Sequence, residues 1–385
     1  MARSMLVVDT VYPRALHSIL SQGSGASSDY ASALRKLLDA KFGMSDVYET
    51  FFANHGWDCN TVIANSTVLQ TLWAKENLPR WSLEVSVAKQ SVLRRIPVFR
   101  NQNLAQPLLT KILTAQIDVF KPDIVFSFDL AAMTEDIVRA ARRVGSLIVG
   151  QTNSALPDDH ILLRFDLLIS SFPFFIHHFT QLGIRNVHLD LGFDERVASR
   201  PAQEGRDIQV SFVGGLTRVH KRVPLLRSLL EVTPSAAFYG YVDDEINLPG
   251  SVQARHGGER WGLGAYEILA NSAVTTNEHG VVDPDLRFGG VRVAGNMRLF
   301  EATGCGALLV TDHLPRIEEF FDVGSEILTY RNLSELKEAV RWALDNPSEA
   351  AEMAERAQRR TLQKHSYAVR LRTLKEALDS EFGAG

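Results

Sequence analysis

The sequence predicts an α/β protein of two units, each a parallel sheet covered by helices, and three observations lead there. At 385 residues the chain exceeds what one hydrophobic core usually serves. In both halves short apolar runs alternate with helical patterning, the signature of right-handed β-α-β crossovers. Between the halves, residues 190–207 (DLGFDERVASRPAQEGRD) lose all periodicity and gather Gly, Pro and charge, which marks the boundary.

Composition narrows the class. A hydrophobic share of 45% and a charged share of 22% are those of an ordinary globular enzyme. A net charge of −4 gives no global attraction to nucleic acid or anionic membrane. The two cysteines, Cys59 and Cys305, support neither a disulfide framework nor a cysteine metal cluster, and read as small core residues in a reducing compartment. No apolar stretch reaches the length of a spanning helix, and MARSMLVVDT meets Asp9 too soon for a signal peptide, so a cytoplasmic protein is expected.

In the first half, Met5–Val8 reads as a strand closed by Asp9. The Gly/Ser-rich segment 21–28 lacks the G-x-G-x-x-G fingerprint and lies well beyond that strand, which argues against classical NAD binding; a ligand loop and a surface loop both fit it. Residues 27–57 look helical up to the stop at Asn54-His55-Gly56. Strands follow at Cys59–Ala64, Pro122–Asp129, Leu147–Gly150 and Leu167–Ser170, with helices over 68–76 and 134–144. The basic stretch 81–107 reads as a solvated face, since its arginines and aromatics do not alternate as in a nucleic-acid platform. Functional groups of a parallel sheet belong at strand carboxyl ends, where Asp129 and Gln151–Asn153 fall.

In the second half, the strand Ile208–Val213 runs into Gly214-Gly215-Leu216-Thr217-Arg218-Val219-His220-Lys221-Arg222 and then a helix. A Gly-Gly turn before a helix start, with Arg218, His220, Lys221 and Arg222 clustered, suits an anion such as phosphate. Phe238-Tyr239-Gly240-Tyr241 offers aromatic surface for a nucleobase, or for the core. Asp283-Pro284-Asp285 is a literal D-x-D, but its proline and turn-rich surroundings fit an ordinary loop better than a divalent-cation site. Helices are expected over 313–321, 333–345, 349–364 with Ser348 as N-cap, and 367–378 after a break at His365-Ser366-Tyr367, with a strand over 325–330. The stretch Gly295–Thr311 reads as a short helix, a glycine turn and a buried strand. It carries Arg298 and Glu301 on one helical face, and Gly304 and Gly306 allow close backbone approach.

That stretch carries a resemblance. NMRLFEATGCG at 296–306 with the following LLVT, the FF-x-x-G-x-E turn at 320–326 and the HSY element at 365–367 resemble the GT-B glycosyltransferases, group 1, of the CgeB-like type. The likeness is strong over 208–378 and architectural before it. It implies two Rossmann-like domains facing each other across a cleft. Residues 1–195 would bind the acceptor, 196–365 the nucleotide-sugar donor, and 366–385 would pack back on the first domain. By the same resemblance Glu301 binds the ribose hydroxyls. It implies that Gly295, Asn296 and Arg298 lie near the diphosphate, with Arg218 and Lys221 completing the cradle; the residues' own chemistry adds Gly214 and Gly215 for phosphate and Tyr241 for the base. Many retaining relatives carry E-x7-E; here the first position is Val293, and Glu278, at a strand end further upstream, is the carboxylate that could substitute.

The expected activity is transfer of a sugar from a UDP- or dTDP-type donor to a glycan, small-molecule or protein acceptor, with no metal and no covalently held cofactor. Nucleic acid is not an expected partner; a homodimer is compatible. An inverting enzyme needs a general base in the first domain, for which Asp129 leads, ahead of His55 and His17. A retaining enzyme needs none. A GT-B-fold epimerase and a non-catalytic sugar-nucleotide binder are the alternatives.

Overall fold

A computed structural model describes residues 2–21, 29–79, 106–198, 206–283 and 286–381. Its backbone divides into two units, one of Met1–Thr152 with Leu156–Val187 and the other of Asn153–Ala155 with His188–Gly385. The segment 22–28 and most of 81–107, both discussed above, lie outside the described residues.

The first unit is built on a six-stranded sheet of β1 (Ser4–Asp9), β2 (Asp58–Ile63), β3 (Ile124–Ser127), β4 (Leu147–Gln151), β5 (Leu167–Ser170) and β6 (Arg185–His188), in the order 2-1-3-4-5-6. Met5–Val8 and Ile124–Ser127 are buried along their whole length, as strands covered on both faces must be. Parallel register pairs Asp9 with Ile63 and Val8 with Ser127. The residues after β1, β2 and β3 therefore emerge side by side at one end of the sheet.

Three local features differ from the sequence expectation. The helical stretch 27–57 is two helices, Tyr30–Asp39 and Val47–Asn54, separated by a turn in which Lys41, Gly43 and Ser45 all take positive φ. Helix Gln106–Phe120, not anticipated, buries Leu108, Leu109, Ile112, Leu113 and Ile117. Strand β6 has no fully buried residue, so no apolar run announced it.

The second unit carries a five-stranded sheet of β7 (Ile208–Val213), β8 (Ala237–Tyr239), β9 (Ser272–Asn277), β10 (Leu308–Asp312) and β11 (Leu328–Tyr330), in the order 11-10-9-7-8, all parallel. The helix Met297–Gly304 feeds β10 through Gly306, at φ +77°. Gly304 has a separate reason to be glycine: a Cβ there would lie 2.5 Å from the ring of Phe193. Pro347 opens the helix Pro347–Lys364 with Asn346, rather than Ser348, at the cap position. The expected helix over 313–321 shrinks to Ile317–Phe320. Both cysteines are buried, and burial pushes their thiols well above the ordinary range, Cys305 to about 12, in keeping with core roles.

The break before the last helix (Tyr367–Glu381) is held by a histidine. His365 lies among Phe300, Phe320 and Phe321 and hydrogen-bonds through Nε2 to the Phe320 carbonyl at 2.9 Å. Its Nδ1 faces Arg370 Nη2 at 2.8 Å, so Nδ1 accepts. Its own carbonyl accepts from Phe193 N, and Tyr367 N donates to the Phe193 carbonyl. Burial lowers the His365 imidazole to about 4. Between pH 6.5 and 4 the unfolded chain therefore binds a proton that the folded chain refuses, and stability falls as pH falls through that window, by of order 3 kcal/mol. Urea midpoints at pH 7 and pH 5 check this: the drop is expected in the native chain and largely missing in His365→Gln.

Candidate active site

In the second unit, polar groups converge after β7 and β9 and at the start of the Met297–Gly304 helix. Gly214 N donates to the Tyr239 carbonyl (2.9 Å) and Leu216 N to the Tyr241 carbonyl (2.8 Å), which fastens the glycine turn along β8. Neither glycine has room to spare: a Cβ on Gly215 would meet the Tyr241 ring at 2.6 Å, and one on Gly240, at φ +138°, would meet the Gly214 oxygen at 2.1 Å. Tyr241 lies nearly parallel to Trp261, centroids 6.1 Å apart and planes 15° apart.

Arg222 ties this turn to β9. Its guanidinium sits over Phe212, donates to the Gly215 carbonyl (3.0 Å) and to the Glu278 carbonyl (2.5 Å), and keeps Nε buried without a partner. Burial lowers the arginine's pKa from its usual value, while Glu278 offsets part of the shift. The Glu278 carboxyl is shifted up, first by burial and then by Asp312, against Arg222 and Arg292; its Oε2 is buried and unpaired. Arg298 lies close enough to Arg222 to lower it further. Of the basic cluster, Arg222 turns inward, and His220 is half-buried with Nδ1 accepting from Val281 N at 3.3 Å. Arg218 is exposed and ion-paired to Glu245, while Lys221, at φ +51°, is exposed and makes no ion pair among the described residues.

Arg298 and Glu301 do not form the solvated bridge that an i,i+3 pair on a surface helix would give. Their side chains are only 18% and 14% exposed, with Arg298 Nη1 2.9 Å from Glu301 Oε2. The angle is poor, and Nη1 is left buried without a hydrogen bond. Tyr266 Oη donates to Glu301 Oε1 at 3.3 Å, and burial followed by the Glu301 charge raises the phenol well above its usual range. A carboxylate held between a phenol and a guanidinium keeps lone pairs for a vicinal diol.

Beside this pair lies a polar network that the sequence did not reveal. His279 Nδ1 is 2.6 Å from Asp312 Oδ1, its Nε2 accepts from Gly295 N at 3.3 Å, and Arg292 donates to both the His279 carbonyl and Asp312 Oδ2. Burial pushes the Asp312 carboxyl up, but the His279 hydrogen bonds and the Arg292 charge win, and it ends below the ordinary range. Asn277 and Asn296 pair through their amides at 3.0 and 3.4 Å. The Gly295 N–H and the Asn296 side chain thus hold the turn that starts the helix. Asp283, the first residue of the D-x-D, turns its carboxylate inward to Phe288 N and Gly290 N; residues 284–285 lie outside the described set. Among the described residues, no three His, Cys, Asp or Glu side chains gather as a metal site.

In the first unit, Asp129 follows β3. Its Oδ1 accepts from Ala131 N and Ala132 N at 3.1 Å each, and its Oδ2 from Thr10 Oγ1 at 3.3 Å. Thr10 N donates in turn to Asp9 Oδ1 at 2.7 Å, so one threonine bridges two carboxylates. Burial, with the Asp129 charge adding to it, raises Asp9 to about 7 against the Thr10 hydrogen bond. Tyr48 Oη donates to Gln151 Oε1 at 2.6 Å beneath them. His55 is not brought to this end of the sheet: it stacks on Phe51 before β2 begins, at the amino ends of the strands. His17 is exposed on its helix.

Residues 217–376 match the model of a glycosyl transferase-like family. No curated protein matches the chain in sequence. Solved structures match its fold over nearly the whole length. A glycosyltransferase from Rickettsia africae has a TM-score of 0.61 at 11% identity, covering 100% of both chains. Sucrose-phosphate synthase from Thermosynechococcus elongatus has 0.57 at 10%, covering 98% of this chain and 100% of that one. HepE from Anabaena, in complex with UDP-glucose, has 0.55 at 13%, covering 98% and 99%. The second unit thus carries a glycosyl transferase-like domain, and the chain as a whole shares the two-sheet fold of these solved proteins.

Proposed function

We propose that the second unit binds a nucleoside-diphosphate sugar, of the UDP type, and that the sugar passes to an acceptor hydroxyl held by the first unit. The observation that carries this is a set of buried polar atoms at one place that make no hydrogen bond: Arg222 Nε, Glu278 Oε2 and Arg298 Nη1, the last with only its ion pair to Glu301. Groups left unsatisfied in a folded interior are costly, and a diphosphate and sugar hydroxyls supply what each lacks. HepE, whose fold is similar, is solved with UDP-glucose.

In this reading Arg298, backed by Arg222, faces the diphosphate and stabilises the leaving charge. The exposed amine of Lys221 and the glycine turn complete the anion contacts, while Arg218 screens from the rim. Glu301 accepts from the ribose hydroxyls, and Tyr241 flanks the base. Glu278, whose buried Oε2 makes no hydrogen bond, accepts from a hydroxyl of the sugar. Asp129 takes the proton of the acceptor hydroxyl in an inverting transfer, with two backbone N–H groups fixing its aim.

Glu301→Ala tests the donor site. Removal of the carboxylate is expected to weaken UDP binding about tenfold or more, the worth of a charged hydrogen bond, in a protein that still folds but melts at a lower temperature, since Arg298 and the Tyr266 hydroxyl lose their partner. Unchanged affinity removes the ribose role. Incubation with a UDP-sugar and no acceptor separates transfer from epimerisation, since only an epimerase returns a new nucleotide sugar.

A further inference from the structure

His220 stands among Arg218, Lys221 and Arg222 in the sequence, yet its surroundings are not those of a phosphate ligand. The Val281 N–H donates to its Nδ1 at 3.3 Å. A backbone N–H can only donate, so that nitrogen must carry a lone pair, and an imidazolium has none. The ring also lies against Gly280: a Cβ there would stand 2.9 Å from Cε1 and 3.3 Å from Nε2. Gly280 has no positive φ to account for its identity, so the close ring is the reason for glycine at this position. Burial first and the Arg222 charge second lower the His220 pKa. Asp243, after β8, pulls the other way, and Arg292, ahead of the Met297–Gly304 helix, adds to the lowering. The turn itself is closed by His220 N donating to Thr217 Oγ1 at 3.1 Å and by Lys221 N donating to the Thr217 carbonyl at 3.2 Å.

We infer that His220 is a positioning residue of the donor site: a neutral acceptor that ties the segment 278–281 to the turn after β7, and no member of the cationic set that meets the diphosphate. The inference rests on the sugar-nucleotide reading above and deepens it. Arg222 holds the same segment at its start, through the Glu278 carbonyl, and the chain Asp312–His279–Gly295 holds its middle. His220 supplies the far end, at Gly280 and Val281. Glu278, whose carboxyl serves the sugar in that reading, is thus fixed along the backbone on both sides. With the ring protonated, an Nδ1–H would face the Val281 N–H, donor against donor, beside Arg222 and Arg292. The tether therefore holds at neutral pH and opens only as pH falls below the ordinary histidine range.

The test compares the native full chain with His220→Asn and His220→Ala. An asparagine oxygen stands one bond beyond Cγ, as Nδ1 does, and accepts without ever taking a proton. Hydrogen exchange over residues 277–283, corrected for intrinsic rates, reads the tether directly at pH 7.5 and pH 5. The expected result at pH 7.5 is equal protection in the native chain and His220→Asn, and about fivefold less in His220→Ala, the worth of one neutral hydrogen bond. At pH 5 the native chain should lose protection and His220→Asn should keep it. Calorimetric titration with UDP at pH 7.5 should follow the same order, with affinity rescued in His220→Asn and about fivefold weaker in His220→Ala. The ionisation of UDP, His365 and Asp9 is common to all three proteins, so the differences between them isolate His220. Gly280→Ala, which crowds the ring, should reproduce His220→Ala and replaces it if that variant fails to fold. Three outcomes overturn the assignment: protection untouched in the alanine variants, His220→Asn binding UDP as weakly as His220→Ala, or UDP affinity that rises toward pH 5 in the native chain and not in His220→Asn, the mark of a cationic phosphate ligand. Absence of UDP binding in the native chain sinks the sugar-nucleotide reading, and with it the donor-site role, while exchange still decides whether the tether exists.

Discussion

Asp129→Asn is expected to reduce the rate of sugar transfer by about 10²–10⁴-fold while leaving UDP binding and the fold intact, the usual worth of a positioned general base. The substitution is close to isosteric. An asparagine oxygen can still accept from Ala131 N and Ala132 N, so the turn after β3 keeps its geometry and only the basic oxygen is lost. The effect belongs in kcat and not in the affinity for donor, because Asp129 lies in the first unit and the donor groups in the second. Asp9→Asn serves as the contrast. With Asp9 raised to about 7, the folded protein holds a proton between pH 3.8 and 7 that the unfolded chain gives up. Stability from this group is therefore present below pH 3.8 and lost as pH rises through 7. Removing the charge is expected to raise the urea midpoint at pH 8 and leave it little changed at pH 4. Equal gains at both values would show that burial of Asp9 is not what sets its proton affinity.

Gly240→Ala is expected to be the most damaging single methyl group in the second unit, costing at least about 3 kcal/mol or preventing folding. Two penalties coincide there. The backbone sits at φ +138°, which an L side chain rarely adopts, and the new Cβ would stand 2.1 Å from the carbonyl oxygen of Gly214. That neighbour is backbone, held by the Gly214–Tyr239 hydrogen bond, and cannot rotate away as a side chain would. Relief must come from moving the glycine turn itself, so any folded fraction should also bind UDP poorly. A circular-dichroism melt reads the first effect. Alanine at Gly250, where a Cβ meets nothing within 4 Å, is the matched control and should cost little.

The strands were readable because a parallel strand buried on both faces must be apolar throughout, and Met5–Val8 and Leu308–Val310 are. The edge strand Arg185–His188 escapes that logic, since it is never fully buried. Helix Gln106–Phe120 did carry a signal, in Leu109, Ile112, Leu113 and Gln116 at helical spacing, which the mixed composition before it concealed. Gly43 was the visible clue that 27–57 could not be one helix. At the site, local spacing could place Arg298 with Glu301, because three residues along a helix fix the neighbours. It could not place Arg222 against the Glu278 carbonyl, 56 residues away, or His279 against Asp312, 33 away. Such contacts follow from strand order, which a single sequence does not display. The same limit hid Asp9, which reads as a strand terminator until the sheet sets it beside Thr10 and Asp129.

The most direct test of the central claim is calorimetric titration of the full chain with UDP, with GDP, ADP and CDP run alongside. The expected result is one saturable UDP site per chain, weakened in both Glu301→Ala and Arg298→Ala. No measurable heat with any of the four nucleotides, or UDP binding equally strong in both variants, would contradict a donor site built on the Met297–Gly304 helix.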